Sequence, residues 1–315
     1  MELIPQISSG KRLFYNENLF LPEEYYRKLL SAVSSDEIRF YPDPWSGRLV
    51  NALSDFLSVE RGKIFVGAGA DDLLRLLIGR ANVVGIVEPS YSMYEFLAKS
   101  FGKEVRVTRY PEVDGVRGSD LIIANSPNNP TGIMYESSYL QELMEMGTLL
   151  LDEAYIEFSG ERGYVDLAGD GLIVIRTFSK AWGLAGLRVG YAVMDEGIVE
   201  DLKSKALPYQ VSQVSEAMAV KALELWKFVR EAIQEMNRVK VWFYSKLRGL
   251  GIPYVESKAN FVFLPMKGYR KAWKHLKDRG FLVRLIERPG AEGIRITLAP
   301  LPVMEELVEV LGELS

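Results

Sequence analysis

The sequence predicts an α/β fold in which a large domain, built on a mainly parallel seven-stranded sheet, is followed by a smaller α+β domain. Between residues 63 and 194, seven short apolar runs are each bounded by Gly, Pro, Asp or Asn, as strands are. The runs are rich in Val, Ile and Leu without polar alternation, which is typical of parallel strands buried on both faces. Several intervals between them have the length and amphipathic pattern of helices.

The seven predicted strands are KIFVG, NVVGIVEP, EVRVTRY, DLIIANSP, TLLLDEAY, LIVIRTFS and RVGYAV. Helices are predicted from Asp71 onward, over residues 92–101 and over residues 135–146. Ligands of such sheets bind beyond the carboxyl ends of the strands. We therefore expect the polar residues that follow the apolar runs to form the functional site.

The pattern changes after Asp195. Residues 212–250 predict two helices, of which the second is long and carries an apolar stripe. Three further strands are predicted over residues 254–264, 281–285 and 294–298, with a helix around His275 and a last helix over residues 302–311. This part of the chain is therefore predicted to form the small α+β domain.

The chain is predicted to divide into three parts. Residues 1–25 are expected to form an N-terminal segment that packs on the small domain, because so short a segment cannot bury a core of its own. Residues 26–205 are expected to form the large domain, and residues 206–315 the small C-terminal domain.

Composition excludes several kinds of function. The 38 basic and 42 acidic side chains give a net charge of −4, so no electrostatic footprint for nucleic acid or an anionic membrane is expected. The chain has no cysteine, which rules out disulfides and thiolate chemistry. Its single histidine, His275, lies in a predicted surface helix, so we expect no metal site. No segment has the length and apolar character of a membrane span or export signal, and a cytoplasmic protein is expected.

The stretch TFSKAWGLAGLRVGY, residues 177–191, follows a predicted buried strand. A lysine at the edge of a core, such as Lys180, favours the neutral amine that condenses with an aldehyde. The hydroxyl of Ser179 and the planar guanidinium of Arg188 are suited to bind a phosphate. The small residues between Lys180 and Arg188 keep bulky side chains out of that space.

Other strand ends carry further candidates, each with a plainer alternative. The turn around Gly69 suits an anion at a helix start or a tight turn with acidic capping residues; Asp72 stands where a dinucleotide fingerprint needs its third glycine. Asp152 suits a protonated heterocyclic nitrogen, or else helix capping or a structural ion pair. Asn129 suits a ligand contact or a simple turn. Taken together with Lys180, these features meet the binding requirements of pyridoxal phosphate.

The order and spacing of SPNNPTG, LLLDEAY and TFSKAWGLAGLRVGY resemble the aspartate-aminotransferase superfamily of fold-type I pyridoxal-phosphate enzymes. Within it, the chain is most similar to the histidinol-phosphate aminotransferase group. The motifs that support this are NEN at 16–18, RFYPDP at 39–44, VGAGADD at 66–72, EPSYSMY at 88–94, KANFVFL at 258–264 and GIRITLAP at 293–300. The resemblance covers nearly the whole chain and implies the fold of type I pyridoxal-phosphate transferases.

The resemblance also implies a role for each cofactor contact. Lys180 bonds to the cofactor aldehyde and later moves a proton at the substrate α-carbon. Asp152 keeps the pyridine nitrogen protonated. Asn129 and Tyr155 hydrogen-bond the phenolic oxygen of the cofactor, and Tyr155 counts among the catalytic residues. The remaining cofactor-binding residues are Tyr91, which stacks on the ring, and Ala68, Gly69, Ser179 and Arg188, which cradle the phosphate.

Further implied contacts concern the substrate and a partner subunit. Arg295 binds the substrate carboxylate and Arg284 is a second anion contact. Asn129 also lies beside the substrate, as does Phe20, which stands where the group has a tyrosine. Tyr41 reaches the cofactor phosphate of the partner subunit, so a homodimer with shared active sites is expected.

The reaction implied is amino transfer from histidinol phosphate to 2-oxoglutarate, giving imidazole acetol phosphate and glutamate in histidine biosynthesis. A threonine-phosphate decarboxylase of the cobalamin pathway is the first alternative, and an aromatic or aspartate aminotransferase is the second. A regulatory protein on the same fold is not expected, because residues 1–40 are too few and too weakly basic for a helix-turn-helix domain.

Overall fold

The computed structural model describes residues 10–314. Its strands are β1 (Lys11–Leu13), β2 (Ile64–Gly67), β3 (Val83–Glu88), β4 (Glu104–Arg109), β5 (Leu121–Asn125), β6 (Thr148–Asp152), β7 (Leu172–Thr177), β8 (Gly190–Val193), β9 (Phe261–Leu264), β10 (Phe281–Arg288) and β11 (Ala291–Thr297).

The α-helices connect these strands and cover both sheets. They are α1 (Glu23–Leu30), α2 (Ser35–Arg39), α3 (Gly47–Leu57), α4 (Ala70–Arg80), α5 (Met93–Ser100), α6 (Ser137–Met146), α7 (Ile156–Ser159), α8 (Glu196–Lys205), α9 (Gln213–Glu224), α10 (Trp226–Gly249), α11 (Tyr269–Asp278) and α12 (Leu301–Gly312). Short 3₁₀ turns occur at Arg61–Lys63, Asp114–Val116, Val165–Leu167 and Ala185–Leu187. Within residues 10–314, no helix combines the length and the apolar character that crossing a membrane requires.

The larger sheet has seven strands in the order β2-β8-β7-β6-β5-β3-β4. Strands β4, β3, β5, β6 and β7 pair in parallel, whereas β8 runs antiparallel to both β7 and β2. This confirms the predicted mainly parallel sheet of seven strands. Its register aligns Asn125 at the end of β5 with Asp152 at the end of β6, so the polar strand ends lie at one edge.

Both faces of the larger sheet are buried, as the uninterrupted apolar runs predict. Ile122, Leu149 and Leu151 belong to one hydrophobic core. Their chain neighbours Ile123 and Leu150 belong to a second core on the opposite face. Because successive strand residues point to opposite faces, a strand between two cores has no polar alternation.

The smaller sheet has the order β1-β10-β11-β9. Strand β1 pairs in parallel with β10, which joins the beginning of the described chain to the C-terminal sheet. The domain limits at residues 25 and 205 stay a prediction.

One strand prediction in this sheet is too long. The strand predicted over residues 254–264 is shortened to β9, preceded by an isolated bridge at Val255. The intervening main chain bonds elsewhere: Lys258 N–H donates to the Gly132 carbonyl at 2.8 Å, and Ser257 N–H donates to the Tyr244 hydroxyl at 2.7 Å. Because these N–H groups bond outside the sheet, the residues between Val255 and β9 do not pair with a neighbouring strand.

A buried charge cluster joins the end of β7 to the chain that follows β6. Arg176 forms an ion pair with Glu153 at 2.8 Å. A second acid, Glu157, accepts a hydrogen bond from the Trp182 indole at 3.3 Å through Oε1, while its buried Oε2 has no hydrogen-bond partner in the described structure. Burial raises the pKa of Glu157 to about 7, although the positive charge of Arg176 opposes the shift. Glu157 therefore holds a proton in the folded state well above the ordinary pKa of a glutamate.

We predict that Glu157→Gln flattens the pH dependence of stability. A folded-state pKa above the unfolded value gives stability that is complete below about pH 4 and declines until the pH passes about 7. The variant has no carboxyl group to lose this proton. Between pH 5 and pH 8, the free energy of unfolding of the wild type should therefore fall by about 2–3 kcal/mol more than that of the variant. Urea titrations at both pH values measure the difference. The exposed Glu161→Gln is the control, and an equal variant effect at both pH values would contradict the assignment.

Candidate active site

A cavity of about 440 Å³ lies beyond the carboxyl ends of β5, β6 and β7, with a volume in the range of small-molecule sites. The smaller sheet contributes β10 and β11 to its wall, and the chain after β1 contributes residues 14–16. The predicted site residues that line it are Tyr91, Asn129, Asp152, Tyr155, Ser179, Lys180, Arg188, Arg284 and Arg295. The structure thus brings most of the predicted site together.

Lys180 follows β7 on a tightly bonded turn. Phe178 N–H donates to the Val189 carbonyl at 3.0 Å, and Ser179 N–H donates to the Thr177 hydroxyl at 3.1 Å. The Lys180 amine lines the cavity and donates to the carbonyl oxygen of Tyr15 at 2.8 Å. Its Nζ also lies 5.7 Å from the centre of the Tyr155 ring. In the described structure the amine therefore donates to a neutral acceptor and forms no ion pair with a carboxylate.

Asp152, the last residue of β6, presents a buried carboxylate to the cavity. Its Oδ2 accepts a hydrogen bond from the Tyr94 hydroxyl at 2.6 Å, and its Oδ1 accepts from Ala154 N–H at 3.0 Å. Burial raises the pKa of Asp152, and the bond from Tyr94 opposes that shift. A cationic ring nitrogen beside this carboxylate would relieve its desolvation.

Tyr94 is a site residue that sequence reasoning missed. It lies on α5, is fully buried, and contacts the Tyr91 ring edge-on at a centroid distance of 5.6 Å. The one signal in the sequence is the spacing of three between Tyr91, which precedes α5, and Tyr94 in its first turn. A tyrosine that only fills the hydrophobic core can have the same spacing. The sequence therefore does not distinguish a tyrosine at the site from one in the core.

The predicted phosphate cradle combines the start of α4 with Arg188. Gly69 caps α4 with φ +86°, and a Cβ atom there would lie 2.7 Å from Arg188 Nη2. A Cβ atom on Gly190 would lie 2.7 Å from the main-chain nitrogen of Ala70. Arg188 Nη1 donates to the Ser179 hydroxyl at 3.3 Å, and its Nη2 donates to Asp71 at 3.4 Å. Only glycines allow this close approach.

Arg295 on β11 is a buried cation. Its Nη2 donates to the Phe14 carbonyl at 2.6 Å and its Nη1 donates to the Asn129 side-chain oxygen. Its buried Nε has no partner among residues 10–314. Burial lowers the pKa of Arg295 to about 10. Arg284 lies directly opposite on β10, so the site joins two arginines and suits an anionic ligand.

Four predicted contacts lie outside the cavity wall. Ala68 and Gly69 lie just before α4, whose first residues Ala70 and Asp71 do line the cavity. Phe20 is half-buried against the hydrophobic core. Tyr41 is 84% exposed, with its ring centroid 5.4 Å from that of Tyr209. The roles of all four stay predictions.

The residues present fit pyridoxal phosphate. The site offers a lysine amine, a buried carboxylate for a cationic nitrogen, and a glycine cradle beside an arginine that a Cβ atom would fill. When bound, this cofactor acts as an electron sink for a substrate carbanion. Residues 10–314 contain no group of three or more His, Cys, Asp or Glu side chains that could hold a metal ion.

Comparison with known proteins decides the family. Residues 7–311 match the sequence model of the family described as "Aminotransferase class I and II". The chain belongs to this family. It is 35% identical over 305 residues to a histidinol-phosphate aminotransferase of Thermotoga sp. (strain RQ2), covering 91% of this chain and 88% of that protein. It is 34% identical over 324 residues to a protein of the same name from Thermoanaerobacter pseudethanolicus, covering 95% and 91%. The predicted family and the predicted enzyme class, a pyridoxal-phosphate-dependent aminotransferase, are confirmed.

Solved structures agree on the fold. The histidinol-phosphate aminotransferase from Sinorhizobium meliloti in complex with pyridoxal-5′-phosphate superposes with a TM-score of 0.87 at 24% identity, covering 98% of this chain and 92% of that one. The L-threonine-O-3-phosphate decarboxylase from Porphyromonas gingivalis gives 0.81 at 23% identity, with 96% and 98% covered. Both confirm the predicted type I transferase fold.

We predict that Tyr94→Phe lowers the turnover number of the aminotransferase about 10-fold, since a hydrogen bond to a buried charge contributes roughly 1.5–3 kcal/mol. Without the hydroxyl, the pKa of Asp152 rises further and the carboxylate holds a cationic partner less well. Steady-state kinetics at pH 7 and 9 measure the loss. Tyr139→Phe is the matched control, because it removes another buried hydroxyl whose bond goes to the Glu112 carbonyl. An equal effect of both variants would contradict the role of Tyr94.

Proposed function

We propose that this enzyme transfers the amino group of histidinol phosphate to 2-oxoglutarate, giving imidazole acetol phosphate and glutamate, as a step in histidine biosynthesis. The observation that carries the proposal is the likeness to relatives named histidinol-phosphate aminotransferase, at 34–35% identity over nine tenths of the chain. The anion-binding character of the cavity supports it. Neither Arg284 nor Arg295 forms an ion pair within residues 10–314, so both remain available to substrate phosphate or carboxylate groups.

The site residues divide the work by chemistry. Arg188, Ser179 and the main chain at Ala68 and Gly69 hold the cofactor phosphate, where a helix start favours an anion. Tyr91 packs against the ring. These residues hold the cofactor by its phosphate and ring face and do not contact the atoms that react.

Proton transfer and hydrogen bonding at the cofactor ring fall to four other side chains. Asp152 holds a proton at the ring nitrogen, where charge proximity in a water-excluded site is most effective. The Lys180 amine would take the proton from the substrate α-carbon and carry it to the C4′ carbon of the cofactor, as amino transfer requires. Asn129 and Tyr155 hydrogen-bond the ring oxygen, and Asn129 also contacts the substrate.

A homodimer with shared active sites is part of the proposal. Tyr41 is highly exposed, and Phe40, Leu207 and Tyr209 are further exposed hydrophobic residues, which suits a covered interface. There Tyr41 would contact the cofactor phosphate of the partner subunit, and Phe20 would approach the substrate. The cytoplasm is the proposed location, supported by the cysteine-free composition.

Threonine-phosphate decarboxylation is the second candidate. It is favoured by the structural likeness to the decarboxylase from Porphyromonas gingivalis. Either reaction takes a substrate that carries a phosphate. The orientation of the substrate decides which of its bonds is broken. A small change in how Arg295 binds the substrate therefore decides between amino transfer and decarboxylation. An aromatic or aspartate aminotransferase is the third candidate.

We predict that histidinol phosphate reacts with the cofactor-loaded enzyme about 100-fold more efficiently than histidinol, because Arg284 and Arg295 pair with the phosphate. In single-turnover absorbance measurements the visible band is lost with histidinol phosphate and returns with 2-oxoglutarate. Arg284→Gln should reduce the preference to below about 10-fold. The exposed Arg270→Gln, on α11, serves as the control. Carbon dioxide release from threonine phosphate without recovery of the band by 2-oxoglutarate would favour the decarboxylase.

A further inference from the structure

The motif Asn-Glu-Asn at residues 16–18 has no role in the proposed function, yet the segment that contains it touches three site residues. Phe14 and Tyr15 offer their carbonyl oxygens to Arg295 and Lys180, at 2.6 and 2.8 Å. The next residue uses its side chain instead. Asn16 Nδ2 donates to the Tyr155 hydroxyl at 2.9 Å.

Asn16 is held firmly in this position. It is 1% exposed and adopts φ +57°, a left-handed conformation that asparagine tolerates better than most residues. Its main-chain N–H donates to the Thr297 hydroxyl at 3.0 Å, and its carbonyl oxygen accepts from Asn260 Nδ2 at 3.0 Å. The backbone of Asn16 is thus fixed by Thr297, the last residue of β11, and by Asn260, which directly precedes β9.

The same contacts fix which end of the Asn16 amide faces Tyr155. A threonine hydroxyl has one hydrogen, and Thr297 donates it to Asn16 Oδ1 at 3.0 Å. If the amide were reversed, the main-chain N–H and the side-chain N–H of Asn16 would both point at the Thr297 hydroxyl. The hydrogen of that hydroxyl would then have lost Oδ1 as its acceptor. With Nδ2 toward Tyr155, the Thr297 hydrogen has Oδ1 as its acceptor, and only the main-chain N–H of Asn16 donates to Thr297.

This orientation sets the direction of the Tyr155 hydrogen. An amide nitrogen only donates, so the Tyr155 oxygen accepts from Asn16 and its own hydrogen must point elsewhere. Tyr155 is 5% exposed and lines the cavity. No hydrogen bond from its hydroxyl to another residue occurs within residues 10–314, which leaves the cavity as the place where its hydrogen is used.

We propose that Asn16 is a positioning residue that turns the Tyr155 hydroxyl hydrogen into the cavity, so that Tyr155 donates to the ring oxygen of the cofactor. Thr297 orients the Asn16 amide and so acts on Tyr155 indirectly, through Asn16. This inference rests on the role proposed for Tyr155. It gives the first residue of the Asn-Glu-Asn motif a function in the reaction itself.

The contact is tested first in the cofactor-free protein. Asn16→Gly keeps the main-chain N–H and accepts the positive φ, but removes the amide that contacts Tyr155. With tyrosine labelled at ¹³Cζ, and the Tyr155 resonance assigned through Tyr155→Phe, this variant should shift that resonance. Asn18→Gly is the matched control, because Asn18 Nδ2 donates to the Ala181 carbonyl. An unmoved Tyr155 resonance in Asn16→Gly, or an equal shift in Asn18→Gly, overturns the proposal.

The consequence is tested in the cofactor-loaded protein, through the pH midpoint of its visible absorbance change. A hydrogen bond donated to the anionic ring oxygen lowers this midpoint, so its loss in Asn16→Gly should raise it by about one pH unit. In a Tyr155→Phe background the same substitution should add nothing. An equal shift in both backgrounds would show that Asn16 does not act through Tyr155.

The two measurements separate failure of the inference from failure of the proposed function. If no visible band forms with pyridoxal phosphate, the roles proposed for Lys180 and Tyr155 fall, and this inference falls with them. If the band forms and its midpoint is unchanged in Asn16→Gly, the function stands and only the role of Asn16 is rejected.

Discussion

The desolvation of two opposite charges in one cavity is the constraint on which the site depends. The Asp152 carboxylate and the Arg295 guanidinium are both buried, and neither has an ion-pair partner among residues 10–314. Each is supported by neutral hydrogen-bonding groups instead: Tyr94 and Ala154 for the acid, Phe14 and Asn129 for the base. A buried charge without a countercharge is costly, so this arrangement favours binding a ligand that carries both a cationic ring and anionic groups.

The topology of the large sheet brings these charges together with the residues proposed to bind the cofactor. Parallel strands end at one edge, and the register pairs Asn125 with Asp152 and Asp152 with Ile175, two residues before the end of β7. The reversed strand β8 brings Gly190 against the start of α4. That close approach places Gly69 beside Arg188 in the predicted phosphate cradle. The smaller sheet closes the cavity with Arg284 and Arg295 on paired strands.

Much of this was predictable from sequence because buried parallel strands leave a strong local pattern. The seven strands, Lys180 and Asp152 follow from apolar runs and the polar residues that end them. Glycines beside an arginine and a serine are typical of an anion cradle, and the phosphate-binding role of these residues stays a prediction. The family resemblance then supplied roles for residues such as Tyr91 and Asn129.

What the sequence did not predict depends on contacts between distant segments. Tyr94 and Asp152 are 58 positions apart, and Asn16 and Tyr155 are 139 apart. Neither pair leaves a local pattern, because a buried tyrosine or asparagine looks the same with any partner. The shortened β9 has a similar cause, since the bond from Lys258 to Gly132 belongs to the tertiary fold.

The central claim is that the Lys180 amine bonds to the aldehyde of pyridoxal phosphate. The most direct measurement is reduction of the cofactor-loaded protein with borohydride, followed by proteolysis and mass spectrometry of the lysine-containing peptides. The structure predicts the phosphopyridoxyl group on the peptide that contains Lys180 and on no other peptide. A folded, cofactor-soaked protein that carries the group at a different lysine, or leaves Lys180 unmodified, would contradict the claim.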